Sequence, residues 1–292
     1  MDSLTFFLDI TSRGIALGAA YALMGLGLTL IFGIMRIVNF AQGEFYMLGT
    51  YTVFALVMYA GIPFYLGIPL GMLVMFLVGM AVEKTLLSPI SKGKIENPME
   101  YSLIITIGLS IFIRQLVVII FGPNYQRMPD FISGRMDFGF LTMTWSWFLV
   151  LVVSTLLIIL VTLYIRYSWR GRSWRSIAET PDGASILGVN VKRERSIVFG
   201  LSCLLAAGAG AVLAPITLIY PTVGAAPLIK GYEILAIGGL GSIPGSLIGG
   251  IMLGLVETYG SIYINPAYKD FYGFALLMLF LIFRPKGLFG KS

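Results

Sequence analysis

A succession of apolar runs, each about as long as a bilayer is thick, decides what this chain can become. Such runs cover residues 14–35, 64–82, 102–121, 145–165, 196–218 and 271–283, with another from the mid-40s to about 59. A hydrocarbon core of about 30 Å takes about 20 helical residues to cross. Inside it every backbone N–H and C=O needs a partner within the protein, which leaves only helices or closed barrels. A barrel would show short alternating segments, and the runs here do not alternate. The fold class is therefore all-α: a polytopic inner-membrane helical bundle. Only 12% of the 292 residues are charged, against roughly a quarter in a soluble domain. The 35 glycines suit helices that approach closely or break within the membrane.

Several functions drop out at once. The chain has no histidine and one cysteine, Cys203, so a zinc site or a histidine-based triad is excluded and no cofactor is expected. The ending GKS at 290–292 resembles a phosphate-binding loop, but Pro285 stands where that motif needs its first glycine and nothing follows Ser292. The net charge of +6 reads as a membrane-topology signal and not as a nucleic-acid footprint. The N-terminal stretch lacks a basic region and a small-x-small cleavage site, so the first run is expected to stay as a span.

The basic residues orient the bundle. The interval 166–195 is the longest polar one, and its seven basic and three acidic residues hold +4 of the net charge. By the positive-inside rule it belongs in the cytoplasm. Lys84, Lys92 and Lys94 and the tail residues Arg284, Lys286 and Lys291 join it there. The loop near Gly61 and the charge-balanced loop 122–144, where Arg127 and Arg135 offset Asp130 and Asp137, fall outside, as does the N-terminus. The glycine-punctured region 224–260 must then return to the side it left. A hairpin of two short or broken helices turning at 241–245 does that. The count is about seven full spans plus a broken pair, nominally eight or nine.

Two interruptions stand out inside this pattern. Asn39, Gln42, Gly43 and Glu44 break the first half, and Gly239, Gly241 and Ser242 break the second. Paired interruptions are the best sequence pointer to a transporter's substrate pathway, where half-helix N-termini meet anionic groups. The alternative is a plain loop, with Glu44 stabilised at a helix N-terminus by the macrodipole. Arg114 and Glu257 also sit in apolar surroundings and are expected to pair with each other or with backbone rather than with a substrate.

Within 166–195, Thr180-Pro181-Asp182 reads as a helix start and Gly188 as its C-terminal glycine. A second start is read at Ser173. Two short helices, 174–179 and 181–187, are expected, with Ala184 and Leu187 three apart on an apolar edge. Such a surface is shaped to dock into something.

The spacing Asp182-Gly183-Ala184-x-x-x-Gly188 resembles the EAA-x-x-x-G coupling loop of ABC importer permeases. The stretches IVNFAQGEFYMLGTY (37–51), FGLSCLLAAGAGAVLAP (199–215), GGLGSIPGSLIGGIMLGLVE (238–257) and RPKGLFG (284–290) are similar to permeases of branched-chain amino acid ABC importers. The similarity is nearest to the shorter, H-type subunit. It runs over essentially the whole chain, in order. Asp182 replaces the pattern's Glu and Gly183 its Ala; the charge is kept, and the glycine weakens the short helix by up to about 1 kcal/mol.

The resemblance implies a single permease domain over 1–292, with 166–195 as its cytoplasmic coupling loop. Arg175, Ala178, Asp182, Ala184, Leu187 and Gly188 would contact the ATPase. It further implies a second, homologous permease subunit, two ATP-binding subunits and a periplasmic substrate-binding protein. Hydrolysis would belong to the partner, so the chain itself is not an enzyme. Related permeases move urea, short amides or other amino acids. An ion-coupled secondary transporter and a non-transporting scaffold are the competing readings. Helices broken at membrane depth speak against the scaffold.

Overall fold

The computed structural model describes residues 3–91, 95–129, 134–137 and 142–290. Lys92, Lys94, Asp130, Lys291 and Ser292 lie outside them. The helices are α1 (Ser3–Leu30), α2 (Gln42–Met58), α3 (Phe64–Val82), α4 (Ser88–Ser91), α5 (Pro98–Phe121) and α6 (Trp145–Tyr167). They continue as α7 (Trp169–Glu179), α8 (Pro181–Ile186), α9 (Val191–Leu213), α10 (Ala225–Gly238), α11 (Ile243–Tyr263) and α12 (Lys269–Phe283). One π turn, Ile31–Met35, ends α1, and another, Glu83–Leu87, joins α3 to α4. The loop after α5 carries one small antiparallel hairpin, β1 (Arg135–Asp137) with β2 (Thr142–Thr144).

Seven helical stretches among the described residues are long and apolar enough to cross a membrane. Two others are short: α2 has 17 residues and α10 has 14, or about 25 and 21 Å. Seven full spans plus a short pair is the expected arrangement, but the pair is α2 and α10 rather than two neighbours.

Two boundaries moved outward for electrostatic reasons. The first helix begins at Ser3 and not near residue 14, because Asp9 and Arg13 pair one turn apart at 2.9 Å and neutralise each other. The end expected at Glu83-Lys84 is instead a π turn leading into α4. Glu83 is buried there and accepts the Ser196 hydroxyl of α9, so its charge does not stop the helix.

α1 and α9 form the buried centre, each with most of its surface covered. Every other spanning helix is arranged about them. α11 runs antiparallel along α1, with Leu255 at Gly14 and Ser246 at Thr29. α3 runs antiparallel along α9, with Met72 at Gly208 and Met80 at Gly200. The short α2 packs on α9 and the short α10 on α1. Each half of the chain thus reads as lead helix, break, short helix, long helix, and the second half repeats the first in inverted orientation. Inverted repeats of this kind are common among transporters.

Lipid offers no hydrophobic drive between helices, so small residues that let backbones meet carry the association. At the α1–α11 crossing a Cβ on Gly250 would lie 2.8 Å from the Ala22 Cα. Gly250→Leu should therefore force the helices apart, at a cost of about 1–3 kcal/mol. A lowered thermal midpoint of the purified protein in detergent checks this.

Candidate functional site

The site begins where α1 ends. Arg36 adopts a left-handed conformation (φ 55°) and donates its N–H to the Phe32 carbonyl. The chain then doubles back toward the interior, without regular structure over 37–39 and turning at 40–41 into α2. Gln42, the first residue of α2, reaches the level of Gly27. That is about two helical turns, or roughly 12 Å, inside the end of the π turn.

A non-helical segment at this depth has backbone groups outside a helical ladder, and α5 satisfies two of them. Ser102, Thr106, Ser110 and Arg114 recur at every fourth position and share one face of that helix. The Val38 N–H donates to Ser102 Oγ (3.4 Å) and the Phe40 N–H to Thr106 Oγ1 (3.1 Å). Further along, Glu44 Oε1 accepts Ser110 (2.8 Å) and Arg114 Nη2 (2.7 Å). Two residues of the segment, Val38 to Phe40, thus match one turn of α5, Ser102 to Thr106, and the first turn of α2 brings Glu44 to the next.

The opposite side of the segment is held by amides. Asn39 Oδ1 accepts the Ala41 N–H, and its Nδ2 donates to Gln42 Oε1. Gln42 Nε2 donates to both the carbonyl (3.0 Å) and the hydroxyl (2.9 Å) of Ser202 in α9. Asn39, Gln42 and Glu44 are all buried. Glu44 is thus both a first-turn acid of α2 and one half of an ion pair at membrane depth.

The hairpin turn expected at 241–245 is present between α10 and α11, but it is not a break at membrane depth. Gly239, Gly241 and Ser242 form an ordinary turn between α10 and α11: Gly239 and Gly241 have positive φ, and Ser242 caps Gly245. This turn lies beside Gly33, at the end of α1, and beside Gly287 of the tail. It does not join the Asn39–Gln42–Glu44 cluster. The break lies earlier, across 214–224, where Pro215 and Pro221 stop α9 and delay α10. Its Ile219 exchanges backbone hydrogen bonds with Gln126, just past α5. Gly224, at the start of α10, sits directly against Gly43. The two short helices therefore begin at one point and diverge. The two prolines were the available signal.

Sequence reading also missed a buried ion cluster. Lys230 and Glu233 of α10 and Glu257 of α11 are each at most 2% exposed. Lys230 Nζ lies 2.7 Å from Glu257, 3.6 Å from Glu233 and 3.4 Å from Asp270 of α12. Tyr21 of α1 donates to Glu257. In place of the expected mutual or backbone pairing, Glu257 pairs with Lys230 and Arg114 with Glu44. Lys230 and Glu233, three apart in an apolar helix, were the signal that marked the cluster.

The polar interval 166–195 folds into the short helices α7 and α8. α7 starts at Trp169, not at 174, because Ser168 caps the Gly171 N–H. Trp174 is buried and donates to Glu194 at the start of α9 (2.7 Å). Arg175 caps the end of α6 by donating to the Ile165 carbonyl (2.9 Å). The Ala178 carbonyl accepts Arg36 Nη2 (3.0 Å). α8 ends at Ile186, and Gly188, just past its C-cap Leu187, is left-handed as expected (φ 85°). The expected apolar edge is corrected: Ala184 is buried, while Ile186 and Leu187 are 87% and 80% exposed. A residue three positions along a one-turn helix does not share a face once the last turn unwinds at Leu187. Asp182 is exposed beside this tip.

Comparison with known proteins follows this geometry closely. The family model described as "Branched-chain amino acid transport system / permease component" matches residues 10–281. The chain is 33% identical over 304 residues to the high-affinity branched-chain amino acid transport system permease protein LivH of Escherichia coli K12, covering 99% of this chain and 97% of that one. It is 32% identical over 305 residues to the permease BraD of Pseudomonas aeruginosa, covering 100% and 98%. It is also 25% identical over 307 residues to the permease LivM of Salmonella typhimurium, covering 92% and 67%.

Removing one partner of a buried ion pair strands the other, which costs about 3–5 kcal/mol. Lys230→Met should therefore destabilise the protein by that order, and adding Glu257→Gln should recover part of the loss. Thermal unfolding of the single and double variants in detergent tests both statements.

Proposed function

Since the chain belongs to the family of branched-chain amino acid transport permeases, we propose that it forms half of the translocation pathway of an ATP-driven importer of branched-chain amino acids. A homologous permease subunit, as the kinship to both LivH and LivM would supply, forms the other half. Two ATP-binding subunits dock from the cytoplasm, and a periplasmic binding protein delivers the amino acid. The chain then sits in the bacterial inner membrane with 166–195 and the tail in the cytoplasm.

One observation carries this reading. A membrane-depth break and an exposed docking tip occur in the same chain, and α7, which leads into the tip, is hydrogen-bonded to the start of the break. The break is 36–44, lined by Asn39, Gln42, Gly43 and Glu44. The tip is Ile186–Leu187 on α8, flanked by Asp182 and Gly188. A transporter working alone needs the first and has no use for the second. Along α7, Arg170, Arg172 and Arg175 and the exposed Trp169, with the Arg172 guanidinium 4.9 Å from its ring, match a cytoplasmic membrane interface.

In this reading Ile186 and Leu187 seat in a groove of the ATPase, while Ala178, Ala184 and Arg175 hold the tip in shape from inside. The pathway-facing polar groups are those of Asn39–Glu44. Gly239, Gly241 and Ser242 serve instead as the turn that lets α10 and α11 pack against the end of α1.

The docking role is tested with Leu187→Asp, alone and with Ile186→Asp. Both side chains are exposed, so the permease should fold and insert normally. Co-purification of the ATPase should fall at least tenfold, and uptake of leucine, isoleucine and valine into proteoliposomes should fall with it. Wild-type recruitment and uptake in the double variant would refute the assignment.

A further inference from the structure

The docking loop packs through α7 against the end of α1, and Arg36 bonds the two directly. Among the described residues it is the one non-glycine residue with positive φ. A left-handed conformation costs a residue with a Cβ about 1–2 kcal/mol, and glycine would meet the backbone requirement without that cost. The side chain therefore has to bring something that glycine cannot. It brings the hydrogen bond from Nη2 to the Ala178 carbonyl, 142 residues away, in the last turn of α7.

Both ends of this bond are mechanically anchored. On the cytoplasmic side, α7 is tied to α6 through Arg175–Ile165 and to α9 through Trp174–Glu194. It also packs against the π turn Ile31–Met35, and α8 with its exposed tip follows directly from it. On the membrane side, Arg36 is the hinge at which α1 stops and the non-helical segment begins. Two residues on, Val38 engages the α5 stripe; then come Phe40 on Thr106 and Glu44 on Arg114. π turns recur at functional positions, and this one also meets Gly241 through Gly33. The end of α1 is therefore where the docking helices, the broken segment and the α10–α11 turn all converge.

We propose that Arg36 is a positioning residue that transmits displacement of α7 to the segment 37–44, through its hydrogen bond to the Ala178 carbonyl. The proposal rests on the importer reading above and names the element by which that machine is coupled. Arg36 does not contact the amino acid, and it is not the ATPase contact. Its positive charge alone is not sufficient: a lysine holds the charge but lacks the planar fork and the length with which the guanidinium reaches the carbonyl.

The test uses the assembled importer in proteoliposomes, with Arg36→Gly and Arg36→Lys compared to wild type. Glycine preserves the left-handed hinge, so folding and assembly should persist. Three quantities are read: ATPase co-purification, ATP hydrolysis, and leucine taken up per ATP hydrolysed. The expected result for Arg36→Gly is normal ATPase binding and sustained hydrolysis, with uptake per ATP reduced between roughly two- and thirty-fold, the range in which single residues modulate coupling. Arg36→Lys should recover only part of the loss. Unchanged uptake per ATP in Arg36→Gly, or full recovery with lysine, overturns the proposal and leaves the importer reading standing. A wild-type chain that binds no ATPase overturns both.

Discussion

The structure depends on one requirement: a non-helical stretch of backbone lies inside an apolar interior, and its N–H and C=O groups must be satisfied there. The Asn39 and Ala41 carbonyls are taken by the turn into α2, while the Val38 and Phe40 N–H groups are met by side chains of α5. That helix brings four residues at helical spacing, two hydroxyls on the segment and one hydroxyl and one guanidinium on Glu44. Each unmet group at this depth would cost several kcal/mol. The stripe Ser102–Thr106–Ser110–Arg114 is thus the condition under which α1 can be broken at all.

The second break obeys the same requirement with different chemistry. At 214–224 two prolines remove donors that would otherwise need partners, and Ile219 pairs with the backbone of Gln126. Both breaks therefore lean on α5 or on the residue run that follows it. That helix is otherwise exposed on most of its surface, so its contribution to the fold is polar and local. It stands to the breaks as a clamp and not as a packing partner.

The spans were legible because length and apolarity report on the bilayer directly, without reference to tertiary contacts. The ends of α1 and α3 were not: the Asp9–Arg13 pair, one turn apart, reads in one dimension as two charges outside the span, and Glu83 is solvated by Ser196, a partner distant in the sequence. The first break was legible from Asn39, Gln42 and Glu44, which cannot be lipid-facing. The second was misplaced because a glycine-rich turn and a broken helix look alike in one dimension, and Gly239 and Gly241 outweighed Pro215 and Pro221. In the loop, Gly188 was readable from backbone chemistry alone. Ala184 was not, since its burial depends on how α8 lies against α7 and α9. The Lys230 cluster is the clearest case. Four charges on three helices carry no sequence-local pattern except the spacing of Lys230 and Glu233.

What holds each part also divides the molecule in two. Between membrane helices there is no hydrophobic driving force, so association rests on close packing and on polar pairs. α1 with α11, and α2 with α9, use the first: Gly18, Gly250 and Gly254, and Gly49 and Gly210, bring backbones into contact. Displacing such a surface loses many dispersion contacts together, and no alternative register restores them. The break segment and α5 use the second, a few directional bonds between side chains and backbone. Those bonds can be exchanged singly for water or for the groups of a substrate at modest cost. The glycine-packed helices α1, α9 and α11 therefore form a frame, and the segment carrying Asn39, Gln42 and Glu44 is the part whose bonding can change without dismantling it. Arg36 and the π turn stand on the boundary between the two, within reach of the docking helices.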